Sequence, residues 1–194
     1  GLGALVLWGL WAGQYGVGRA LYLAVWHSVS AFCNAGFDLF SGSPDSPAGM
    51  PRDPGTLLTL SALIASGSLG IPVLSDLARW PRARRLSLHS RLTLATAGSL
   101  LAVGTLGLLV SSGRPFLEAF FLSTACRTAG FTLEPLDGLD GGSALVMTAL
   151  MFIGASPASM GGGITTSTLA VLALAAFAFV RGRRQVVVGG RTLP

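Results

Sequence analysis

Long uncharged stretches broken by short polar, charge-bearing punctuation organise this chain. Residues 54–75 (PGTLLTLSALIASGSLGIPVLS) and 92–113 (LTLATAGSLLAVGTLGLLVSSG) carry no charge and are 22 residues each. As helix each would be about 33 Å long, enough for a hydrocarbon core about 30 Å thick. Both are predicted to be transmembrane helices. The opening GLGALVLWGLWAG reads as the end of another span that began earlier in a longer chain. Two shorter apolar stretches, Ala20 to Cys33 and Pro115 to Cys126, have 14 and 12 residues. That is too short to cross and fits segments that dip in and return.

A third uncharged run, residues 141–180, is 40 residues long, about 60 Å as one helix and too long for a straight crossing. Its centre, GASPASMGGGITTST, is rich in Gly, Ser, Thr and Pro. It is either two spans joined by a hairpin or one pass interrupted by an unwound segment. Charge favours the single pass. Acids Glu134, Asp137 and Asp140 precede the run and Arg181, Arg183, Arg184 and Arg191 follow it, and basic loops collect on the cytoplasmic side. Irregular backbone at membrane depth is tolerated only when buried in protein or lining a water-filled cavity.

Composition agrees. Only 11% of residues are charged and mean hydropathy is +0.66, whereas a soluble domain dresses its surface with roughly a quarter charged residues. The net charge of +5 comes from 13 arginines, without lysine, against eight acids. Nine of those arginines (79, 82, 84, 85, 91, 181, 183, 184 and 191) fall in two loops assigned to the inside, with Asp76 as their only acid. The outer loops hold Asp38, Asp45, Asp53, Glu134, Asp137 and Asp140 with Arg52, while Arg19 and Arg114 lie just ahead of the short helices. The basic balance is therefore an orientation signal and not a nucleic-acid footprint. Cys33 and Cys126 have no metal or disulfide spacing and are expected to be small buried apolar residues.

The chain repeats itself at an offset of 94 residues. Ala31 to Leu39 (AFCNAGFDL) aligns with Ala125 to Leu133 (ACRTAGFTL), with five of nine positions identical. Each copy predicts a short helix, a glycine-containing tip, an acidic outer loop and a long span, the mark of one structural unit used repeatedly. Such a unit suits cation passage. Rings of backbone carbonyls can replace an ion's hydration shell, glycine permits the strained backbone that aims them, and the negative end of each short helix favours a cation. Gly36 and Gly130 would supply the permissive backbone, Asn34 and Thr128 would brace the tips through side-chain hydrogen bonds, and Phe37 and Phe131 would pack behind them.

These motifs resemble those of the Trk/Ktr/HKT potassium transporters. HSVSAFCNAGFDL and STACRTAGFTLEPLDGL look like that family's second and third pore loops, and FIGASPASMGGGITTSTLAVL like the interrupted second helix of its third repeat. VRGRRQVVVGGRTLP is similar to the cytoplasmic stretch that follows. The resemblance implies an all-α polytopic membrane protein of helix/re-entrant pore loop/helix repeats. Residues 1–80 would be the second repeat, with its first helix truncated, 81–91 a cytoplasmic linker, 92–181 the third repeat with a broken last helix, and 182–194 a cytoplasmic segment. It implies a filter made by Asn34, Ala35, Gly36 and Phe37 with Thr128, Ala129, Gly130 and Phe131. It also implies a gate made by Gly161, Gly162, Gly163, Ile164, Thr165, Thr166 and Ser167. Many relatives carry lysine where Thr165 stands. The ion would be potassium, handled as substrate with no cofactor, in a multi-pass protein of the plasma or inner membrane. Homodimers and a cytosolic ring of nucleotide-binding regulatory subunits are the implied partners, beside membrane lipid.

Remaining chemistry-bearing residues have bland readings. His27, among aromatics, fits a structural hydrogen bond. Arg127, buried beside a tip, needs a partner, for which Glu118 is one candidate, and Arg82, Arg84 and Arg85 set topology and face lipid headgroups. GASPASMGGGITTS lacks the lysine and the preceding strand of a phosphate loop. The rival functions are an intramembrane hydrolase using Ser156 or Ser159 with His27 or His89, and a non-conducting scaffold. No catalytic residue is assigned.

Overall fold

The structure is a computed structural model that describes residues 1–41, 49–133, 139–181, 186–188 and 191–193, with the side chains at 82, 83, 186–188 and 191–193 excepted. Asp45, Glu134, Asp137, Arg183, Arg184 and the side chains of Arg82 and Arg191 thus lie outside the described residues.

Among the described residues, eight helices form the body: α1 (Leu2–Tyr15), α2 (Val17–Phe32), α3 (Pro54–Ser68), α4 (Gly70–Ala83), α5 (Leu88–Ser112), α6 (Phe116–Ala125), α7 (Gly141–Phe152) and α8 (Thr166–Val180). A small antiparallel hairpin, β1 (Val186–Val188) with β2 (Arg191–Leu193), follows them. The short helices α2 and α6 fall where apolar runs too short to cross were expected. Both end at a tip, and each packs against the helix before it, α2 on α1 and α6 on α5.

Helix starts are set by local chemistry. Asp53, Ser87, Asp140 and Thr165 each accept a hydrogen bond from the backbone N–H three residues on, closing the N-termini of α3, α5, α7 and α8, with Pro54 in the first turn of α3. Two of the acids read as outer-loop charges are therefore also caps.

Residues 88–112 form one helix, α5, the one helix among the described residues long and apolar enough to span alone. Residues 54–75 do not form a single span. The run breaks after Ser68, and α3 and α4 meet at 108°. Two features force the bend. Gly70 adopts φ +76°, a left-handed conformation, and Pro72 has no N–H to return to the Ser68 carbonyl. That carbonyl instead accepts from Ser156 N–H at 2.9 Å.

The 40-residue run is broken as expected, between α7 and α8. Ile153 and Ile164 form a parallel bridge, with Gly154 N–H donating to Ile164 O (2.8 Å) and Ile164 N–H to Phe152 O (3.3 Å). A parallel bridge means that the chain leaves the excursion heading the way it entered, which is the geometry of one interrupted pass. α5 accompanies both halves. Along α7 the contacts run antiparallel, from Ser111 Oγ and Ser143 Oγ at 2.8 Å to Gly104 against Leu150.

A shared core of Leu57, Leu60, Ile64, Phe121, Leu122 and Phe131 joins α3 to α6 and the second tip. A second focus lies behind the first tip. Trp11 is buried and donates to Thr56 Oγ1 at 2.8 Å, and its ring meets His27 and Phe40 edge-on at 5.5 and 5.1 Å. α1, α2 and α3 are pinned together there.

Candidate ion pathway at two facing tips

The tips share one unusual backbone. Asn34 and Gly36 have φ of +51° and +72°; Thr128 and Gly130, at the same repeat positions, have +68° and +82°. Left-handed φ is costly for residues with a Cβ, so its recurrence at Asn34 and Thr128 marks a conformation enforced by the surroundings. The amides show what it accomplishes. Ala35 N–H donates to Ser30 O (2.9 Å), while Ala129 N–H and Gly130 N–H both donate to Ala125 O (3.0 and 3.1 Å). In a planar trans peptide the carbonyl points opposite its N–H. The carbonyls of Asn34, Thr128 and Ala129 therefore face away from the helices that anchor them.

They face a shared space. A Cβ at Gly36 would lie 2.5 Å from Ala129 O and 2.9 Å from Gly130 Cα, so the two tips touch backbone to backbone. A cavity of about 210 Å³ adjoins them, walled by Asn34, Ala35, Thr128, Ala129, Gly130 and Met151. Those walls carry no ionised side chain. The C-terminal ends of α2 and α6 bear partial negative charge, so peptide dipoles supply the electrostatics.

Other predicted tip residues divide. Phe131 is buried, whereas Phe37 is 66% exposed, so only the second aromatic packs behind its tip. The Phe37 carbonyl also accepts from Ser30 Oγ at 3.0 Å and is turned back toward α2. Asn34 Nδ2 donates to Ser68 Oγ (3.0 Å), a brace of the expected kind, but Thr128 Oγ1 and Asn34 Oδ1 are buried without a partner. Cys126 is buried, yet Cys33, just past the end of α2, is exposed.

The glycine-rich excursion sits against both tips. A Cβ at Gly161 would overlap Thr128 Oγ1 and lie 3.4 Å from Asn34 Nδ2. Three backbone bonds tie this loop to the α3–α4 break: Ser156 N–H to Ser68 O, Met160 N–H to Gly67 O and Ile71 N–H to Ala158 O. Gly162 has open space about it, and Gly163 takes φ +84° beside Gly154. Ile164 returns the chain to the bridge, Thr165 caps α8 through Thr168, and Thr166 and Ser167 begin that helix.

His27 is fully buried. Its Nδ1–H donates to Leu23 O at 2.8 Å and Nε2 lies 3.0 Å from Asp38 Oδ1. Asp38 also accepts from Phe40 N–H and from Ser41, so it locks the chain just past the first tip. Burial alone would raise its carboxyl, but the hydrogen bonds from His27, Ser41 and Phe40 outweigh burial and lower it to about 2. A depressed folded-state pKa gives stability that is present above the unfolded value and lost as pH falls through the folded one. Asp38→Asn should therefore remove about 1 kcal/mol at pH 7, because solvent partly screens the carboxylate. Detergent-solubilised protein should lose stability between roughly pH 4 and pH 2, and the variant should show a flatter dependence there. Equal slopes in thermal unfolding would contradict this.

Arg127 does not pair with Glu118. It is 8% exposed, donates from Nη1 to Ala97 O on α5 at 3.3 Å, and its Nε has no partner. Glu118 lies 3.8 Å from Arg52, in the segment that leads into α3. Ser159 Oγ is bound to Ser156 O at 2.5 Å, and His27 is committed to Leu23 and Asp38. A serine–histidine nucleophile therefore has no support from His27.

A family model for cation transport proteins, TrkH, matches residues 92–188. Ktr system potassium uptake protein B of Vibrio alginolyticus is 37% identical over 94% of this chain and 43% of its own. The potassium/sodium uptake protein NtpJ of Enterococcus hirae is 31% identical over 99% and 44%. The crystal structure of the potassium transporter TrkH from Vibrio parahaemolyticus superposes with a TM-score of 0.72 at 18% identity, over 100% of this chain and 42% of that one, which establishes a shared fold. The chain thus spans less than half the length of these relatives. With half of its residues matched by that family model, the chain belongs to the TrkH family of membrane-embedded cation transport proteins.

Proposed function

We propose that this chain builds two walls of a potassium-conducting pathway in the plasma or inner membrane. Main-chain oxygens at Asn34, Ala35 and Gly36 and at Thr128, Ala129 and Gly130 would replace the ion's water, and Phe131 would back the second tip. The Gly161–Ser167 segment would act as a gate inside them. The observation that carries this reading is the pair of left-handed residues at equivalent places in two tips that touch through Gly36 and Gly130. Bare carbonyls match a large, weakly hydrated monovalent cation, which is stripped of water at lower cost than a smaller one. The names of the relatives, potassium uptake proteins among them, agree with this ion. By the resemblance of its motifs to the Trk/Ktr/HKT potassium transporters, residues 1–80 and 92–181 would act as successive pore repeats, copies would pair, and a cytosolic ring of nucleotide-binding subunits would be a partner.

Gly130→Ser tests the filter. Position 130 has φ +82°, and a Cβ there would sit 3.3 Å from Gly36 Cα, so serine strains the backbone without a gross clash. Expressed from its complete reading frame in cells lacking their own potassium uptake, the variant should still pass cations but lose preference for rubidium over sodium by about tenfold. An unchanged ratio would remove the filter assignment. Absence of flux in the unaltered protein would favour a scaffold.

A further inference from the structure

The two tips are held in different ways. The first is locked from within its own unit, where Asp38, one residue past Phe37, meets His27 on α2. At the repeat offset, His27 corresponds to Phe121 and Asp38 to Thr132. The second unit therefore lacks both members of this brace, and Phe121 is buried in the apolar core instead.

A residue from outside that unit reaches the second tip instead. Arg52, in the segment leading into α3, donates from Nη2 to Leu133 O at 2.9 Å. Leu133 lies two residues past Phe131 and is buried, and it is the counterpart of Leu39, whose N–H approaches His27 Nε2 at 3.3 Å. The other guanidinium nitrogen, Nη1, lies 3.8 Å from Glu118 near the start of α6. A guanidinium offers several donors in a rigid fork, so one side chain can hold the exit of the tip and the entry of its helix together. Hydrogen bonds from charged donors are also stronger than those from neutral ones.

We propose that Arg52 is a positioning residue for ion selection, holding the second tip in register from the neighbouring unit as His27 and Asp38 hold the first. This rests on the filter reading above. The ion does not touch Arg52, whose action passes through the Leu133 carbonyl to the backbone of Gly130 and Phe131.

The test uses the complete reading frame in uptake-deficient cells, with flux normalised to protein in the membrane. Arg52→Ala and Arg52→Met, the second keeping bulk without donors, should cut the rubidium-to-sodium uptake ratio at least about fivefold while total cation flux persists. Arg52→Lys, which keeps one charged donor, should recover most of it. Glu118→Gln, which leaves the Leu133 bond in place, should stay near the unaltered protein. An unchanged ratio in both donor-less variants overturns the proposal, as does a loss in Glu118→Gln equal to that in Arg52→Ala. Gly130→Ser is measured alongside. If it shifts the ratio and the Arg52 variants do not, the filter reading survives and the role of Arg52 falls. If neither shifts it, both fall.

Discussion

Gly36→Ala should abolish selective potassium uptake and destabilise the protein by about 2–5 kcal/mol, summing left-handed strain and overpacking. The atoms a methyl group would meet are all backbone: Ala129 O at 2.5 Å, Gly130 Cα at 2.9 Å and Gly130 C at 3.0 Å. None is the end of a flexible side chain, so relief requires one tip to move. Both tips are anchored through N–H bonds to their own helices, and movement would break those bonds or shift α2 against α6. Gly130→Ala provides the internal comparison. Its methyl group would meet only Gly36 Cα, at 3.3 Å, so it carries the strain and little of the clash. Thermal unfolding and rubidium uptake should both rank the unaltered protein above Gly130→Ala and Gly130→Ala above Gly36→Ala. The reverse order would mean that the tips do not meet as described.

Gly67→Ala should prevent stable assembly, although it places a better helix former in α3. Intrinsic propensity would favour alanine by about 1 kcal/mol. Contact overrides it, because the new methyl carbon would overlap Phe32 O, at the end of α2, and fall 2.9 Å from Phe32 C. Small residues let membrane helices approach to backbone contact, and here the approach seats the helix carrying the first tip. Gly98 on α5 has open space around its Cβ position. Gly98→Ala should be neutral or slightly stabilising. The measurement is the yield of monodisperse, membrane-inserted protein. Comparable yields for the two variants would show that α2 and α3 are not in such contact.

Which parts of this arrangement are legible in the sequence depends on the range of the signal. The short helices and the interrupted pass follow from lengths of apolar chain set against a fixed membrane thickness. The tips follow from a repeat, which reports structural equivalence without reporting distance. The α3–α4 bend escapes charge counting, which treats residues 54–75 as uniform, yet Gly70 and Pro72 stand inside the run and are its local signal. Phe37 and Phe131 occupy one repeat position, which suggests one role. Their burial differs because the second tip has the first unit beside it and the first tip has no described element over its aromatic. Arg52 is invisible for a third reason. Two of its partners, Leu133 O and Glu118, are a main-chain oxygen 81 residues away and an acid in the first turn of α6, and no local pattern encodes either. The Asp38–His27 pair, eleven residues apart, has only the burial expected of His27 as a hint.

The bridge between Ile153 and Ile164 has a mechanical consequence. Ten residues, 154–163, leave the membrane pass and rejoin it at a point where the chain lies beside itself, running the same way. These residues act as slack that is already paid out. Swinging them aside requires breaking a handful of main-chain bonds to residues 67–71, to Ile164 and to Thr166. The crossing need not lengthen, and neither α7 nor α8 has to slide along α5.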